Sequence, residues 1–90
     1  MDPRVKEAVL LKIEEAVSSA GEIQQIQKSL MVISGSQNVD FAFGIAIGRI
    51  YNSFHYQTRR IIGRNATEDE FSEFLQLLSQ SADKIREACQ

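Results

Sequence analysis

Between Val39 and Arg64 the chain reads VDFAFGIAIGRIYNSFHYQTRRIIGR, and what this stretch becomes decides the fold. Read at three-and-four spacing, Phe43, Ile47, Ile50, Phe54 and Ile61 fall in a narrow arc of a helical wheel, as a buried helical stripe does. Tyr51, Thr58 and Ile62 border that arc, and Gly44, Gly48 and His55 lie at its edge. Arg49, Asn52, Tyr56, Arg59 and Arg60 take the far side, with Ile45. Read at period two, Phe41–Gly48 alternates large and small residues, as a strand would. With Leu30–Ile33 before it and Gly35–Asn38 as a turn, residues 30–48 would then form a β-hairpin. The helix is preferred for two reasons. A lone two-stranded ribbon is barely stable in water and no third strand is on offer, whereas the helical stripe continues unbroken to Ile61.

The flanking segments are helical on the same grounds. Asp2 and Pro3 are an N-cap followed by proline at the first helical position. Val5, Val9, Ile13, Val17 and Ala20 then form one face, broadened by Leu10 and Ala16, and past Gly21 the pattern resumes in phase at Ile23, Ile26, Leu30 and Ile33. One long helix is expected, with a weak point at Ser18–Gly21, where glycine costs about 1 kcal/mol relative to alanine and Ser19 with Glu22 has capping-box spacing. Gly35 is a stop, with Ser36 or Asn38 as the next cap. Gly63 ends the middle helix. Thr67, Glu68, Asp69 and Glu70 combine a capping hydroxyl, a capping-box glutamate and acids at the positive end of a helix dipole. Phe71, Phe74, Leu78, Ala82, Ile85 and Cys89 follow on one face, widened by Leu75 and Leu77. The expectation is an all-α single domain over residues 1–90, with helices over about 3–34, 38–63 and 67–89 in an up-down-up arrangement. At 1.5 Å per residue such helices run to roughly 36–46 Å. That is long for a monomeric bundle of this mass, so a homodimer is expected.

Composition narrows the function classes. The net charge is −2, which argues against a chain that coats nucleic acid or acidic membrane over its whole surface. Charge is uneven, however: residues 38–66 carry four cations and one anion, residues 67–90 two cations and six anions. One cysteine, Cys89, excludes an internal disulfide. The charged opening residues do not read as a signal peptide, and the apolar run Phe41–Gly48 is far shorter than the roughly 18 residues of a membrane span. A soluble cytoplasmic protein is the expectation. One His and one Cys cannot build a structural zinc site within one chain. Glu-x-x-His pairs, phosphate-cradling glycine loops and nucleophile elbows are absent. No cofactor and no enzymatic activity are expected.

Two features of the middle helix carry candidate function. Gly44 and Gly48, with Ala42 and Ala46 close by, form a small-xxx-small pair that lets another backbone approach, within the chain or across a dimer. Arg49, Asn52, Tyr56, Arg59, Arg60 and Arg64 make a basic stripe with an aromatic inside it. Such a stripe meets phosphates and stacks on a base, contacts an acidic protein, or is a solvated face paired with the acidic third helix. The leading reading is a non-catalytic interaction or assembly module whose partner is itself or another protein, and the alternative is a nucleic-acid-binding protein. Arg49 and His55, with five residues between them, also resemble the Arg-x(4–6)-His motif of the HEPN ribonuclease family. The resemblance implies a helical dimer in which the two residues contribute to RNA cleavage; it covers these two positions alone. Six residues along a regular helix leave them about 120° apart.

Overall fold

The computed structural model describes residues 1–30 and 39–90, and every described element is a helix. In chain order they are α1 (Pro3–Ser18), α2 (Ala20–Ser29), α3 (Val39–Ile62) and α4 (Glu68–Ala88). The alternating segment Phe41–Gly48 is therefore helix, not strand. The remainder of the hairpin alternative, the expected caps Ser36 and Asn38, and the last residues of the expected first helix fall outside the described residues.

The expected first helix is two. It breaks at Ser19, whose backbone leaves helical geometry at φ −103° and ψ 18°. The capping box of Ser19 with Glu22 does not form. Instead the Ser19 hydroxyl donates back to the Glu15 carbonyl at 2.7 Å, and the Ser18 hydroxyl reaches the same oxygen at 3.1 Å. Two hydroxyls competing with the backbone for one carbonyl, just ahead of Gly21, end the helix where hydrophobic phase alone would carry it through. Ala20 and Ile23 stay buried across the break, so the apolar face survives the kink.

Directions follow from the ion pairs. Arg49 of α3 meets Glu15 near the end of α1 at 3.4 Å, and Lys84 near the end of α4 meets Glu14 at 3.5 Å. With Met1 paired to Glu73 near the start of α4, α4 runs parallel to α1, and with Arg86 paired to Asp40 at the start of α3 while Phe71 lies beside Tyr51, α3 runs against both. Such exposed pairs report geometry more than stability. The turn from α3 to α4 is made by Gly63 at φ +81°, a left-handed conformation that glycine adopts without steric cost. Thr67 then caps α4: its hydroxyl accepts from the Glu70 N–H at 3.2 Å, while the Glu70 carboxylate accepts from the Thr67 N–H at 2.9 Å.

The core differs from the wheel in an instructive way. Its α3 line is Ala42, Ala46, Ile50, Phe54 and Thr58, while Phe43, Ile47 and Ile61 are half-buried on its flank. A repeat of four residues advances about 40° at each step, so α3 leans across its neighbours instead of presenting one straight stripe. Alanines at the N-terminal crossing let helices approach closely, since separation is set by the side chains between them. Against this line pack Val5, Val9, Ile13 and Ala16 of α1, Ile23 of α2, and Phe74 and Ile85 of α4. Phe54 and Phe74 stack with ring centres 4.3 Å apart and planes within 9°. The Thr58 hydroxyl is buried and donates to the Phe54 carbonyl at 2.8 Å, one turn back.

Candidate interaction surface

The outward side of α3 divides into two strips, set by which neighbour each flank meets. On the α4 flank lie Gly44, Gly48, Tyr51 and His55. Both glycines are exposed, and a Cβ added to either meets nothing within 4 Å among the described residues. Among the described residues, then, neither glycine brings a second helix into close contact. Tyr51 is 45% exposed and stands edge-on to His55, with ring centres 4.7 Å apart. Phe71 of α4 closes behind them, 6.4 Å from Tyr51 and 6.1 Å from His55. One turn along α4 from Phe71, on the same face, Leu75 is also 45% exposed. A small polar-aromatic groove of about 470 Å³ ends this strip, walled by Tyr51, Asn52, His55, Arg59, Asn65 and Ala66. His55 sits at the edge of the core through ring packing, and among the described residues no protein group hydrogen-bonds its nitrogens.

The α1 flank carries Arg49, Asn52, Tyr56 and Arg60. Here a shallow groove of about 420 Å³ is walled by Lys12, Arg49, Asn52, Ser53, Tyr56 and Gln57. Tyr56 is 57% exposed in the middle of it. Glu15 is the one carboxylate in reach, shared between Lys12 at 3.1 Å and Arg49 at 3.4 Å. Among the described residues Arg60 hydrogen-bonds only the Gln57 amide oxygen, at 3.4 Å.

The six residues expected to form one basic face are thus separated. Arg49, Asn52, Tyr56 and Arg60 stay together. Arg59 turns to the aromatic groove, where among the described residues it makes no ion pair. Arg64 belongs to the capping of α4, held by Glu70 through two contacts at 2.8 and 3.2 Å. That pairing, together with the Thr67 N–H, holds the Glu70 carboxyl down from 4.5 to about 2. Lys12 lies on α1 and joins the strip only through the α1–α3 crossing, so no one-helix wheel reveals it. Arg49 and His55 open onto opposite grooves with Asn52 between them and do not converge on one point. Among the described residues no three His, Cys, Asp or Glu side chains gather as a metal site requires, and no helix is long and apolar enough to cross a membrane. Compared with known proteins, the chain matches no family model, no curated protein and no solved structure.

Proposed function

We propose that this protein is a small helical assembly module that works as a homodimer, joined through the Gly44–Gly48–Tyr51–His55 strip of α3 with Leu75 of α4 at its border. The observation that carries the reading is the pair of exposed glycines. Each costs about 1 kcal/mol in a helix interior relative to alanine, and neither relieves a contact with any other described residue. An exposed tyrosine and an exposed leucine beside them add apolar surface at the same place.

The strip is also self-complementary, which favours a second copy over an unrelated partner. In an antiparallel α3–α3 pairing with its two-fold axis at the level of Arg49 and Ile50, Gly48 falls opposite the partner's Tyr51 and Gly44 opposite the partner's His55. Each hole then receives a ring, and the contact is isologous, as two-fold dimers require.

Sedimentation velocity of substituted chains tests the site. Gly48→Leu fills the hole and Tyr51→Ala removes the ring; both are expected to convert a dimer to monomer, whereas Lys84→Ala on the far side of α4 leaves it intact. Retention of the dimer in Gly48→Leu and Tyr51→Ala would place the interface elsewhere.

A further inference from the structure

We infer that the α1 flank of α3 is a binding strip for single-stranded nucleic acid, with Tyr56 as the stacking platform and Lys12, Arg49 and Arg60 as the phosphate contacts. Self-association is not a premise, because this strip lies about 130° round the helix from Gly44, Gly48, Tyr51 and His55 at 100° per residue.

Arg49, Tyr56 and Arg60 follow one another at steps of seven and four residues, so they align along the axis of α3. From Arg49 to Arg60 the rise is about 16 Å at 1.5 Å per residue, a length over which an extended strand presents several phosphates. Lys12 enters from α1 beside Arg49. Only Glu15 opposes these cations, and it is divided between Lys12 and Arg49. The local balance therefore stays positive on a chain whose net charge is −2. The wall between the cations is made of Asn52, Ser53 and Gln57, neutral side chains that donate hydrogen bonds to phosphate or sugar oxygens. Tyr56 is 57% exposed, so a large face of its ring is open to a base. A cationic track interrupted by an open aromatic ring is the arrangement that binds single strands with little regard to sequence.

The test is fluorescence anisotropy with labelled oligo-dT and oligo-U of about 12 nucleotides, within the span of single-strand binding sites, and with a duplex of equal length. Affinity is expected to fall about 20-fold between roughly 50 and 200 mM salt, as three neutralised phosphates imply for a single strand. Tyr56→Ala is expected to weaken binding at least about five-fold, since stacking on an aromatic is lost, and Tyr56→Phe to retain it. Arg60→Glu is expected to abolish binding and Lys84→Glu to leave it unchanged, with far-UV circular dichroism showing each variant folded. Three results would overturn the assignment: no binding to either oligonucleotide at low salt, binding indifferent to both Tyr56→Ala and Arg60→Glu, or a preference for the duplex. Capture of an acidic peptide by a chain that ignores the oligonucleotides is the first of these.

Discussion

At the scale of single residues, the turn into α4 shows how a few polar atoms set a helix boundary. Thr67 and Glu70 exchange backbone hydrogen bonds, and Arg64 clamps the carboxylate from the preceding loop. The folded Glu70 carboxyl lies near 2 against an ordinary 4.5, first because Arg64 hydrogen-bonds it and then because the Thr67 N–H does. A carboxyl depressed by folding stabilises the folded chain above its unfolded pKa, and that contribution disappears as pH falls through the folded value. Asp2, capping α1 and paired with Arg4, is lowered from 3.8 to about 2 and acts in the same direction. Stability is therefore expected to decline between about pH 4.5 and pH 2. Glu70→Gln should lower stability at neutral pH and flatten that acid limb, as measured by urea unfolding across the range. An unchanged slope would remove Glu70 as a source of the pH dependence. This box was legible in the sequence because its partners are three residues apart and each side chain reaches the other's backbone N–H. The same spacing at Ser19 and Glu22 marked where the first helix breaks but not the bonds made there, because the Ser19 hydroxyl donates to the Glu15 carbonyl instead of capping the next helix.

At the scale of the element, α3 carries most of the information and most of the misreading. That it is a helix was plain from the length of its apolar pattern. Which side it buries was not. The wheel weights large residues and selects Phe43, Ile47 and Ile61, yet the close crossing requires Ala42 and Ala46, whose small side chains carry little hydrophobic signal. The membership of the basic face shifts for a related reason: Arg64 pairs with Glu70 and Lys12 joins from another helix, and neither is a property of α3 alone. Glycines remain the most informative residues of this element. Gly48→Ala, with no other described residue within 4 Å of the new methyl, is expected to raise thermal stability at high dilution by about 1 kcal/mol. The same substitution should weaken self-association, because the hole opposite the partner's ring is partly filled. Opposite signs in the two measurements are the signature of a glycine held for contact between chains. A gain in stability with unchanged association would make it a helix defect of no consequence to assembly.

For the whole molecule, the principal-axis extents of 41 × 21 × 20 Å describe a slender bundle. Its radius of gyration is 14.1 Å, against the roughly 12 Å that scaling gives a compact chain of this length. A slender bundle has little interior, and α4 places just Phe74 and Ile85 fully inside, with Cys89 buried just past its end, while Leu75 stays exposed. Burial raises the Cys89 thiol above its ordinary value, which lowers its thiolate fraction in the folded chain. Fold class was legible because capping and periodicity are local. The two outer strips of α3 were not, because each depends on a neighbour's position. Self-association through the glycine strip is the central claim, and light scattering on the eluting wild-type chain over a hundred-fold range of loading addresses it directly. A dimer in exchange with monomer gives a mass of twice the 10.1 kDa chain at the upper concentrations, falling toward the chain mass on dilution. A mass of 10.1 kDa throughout would contradict it.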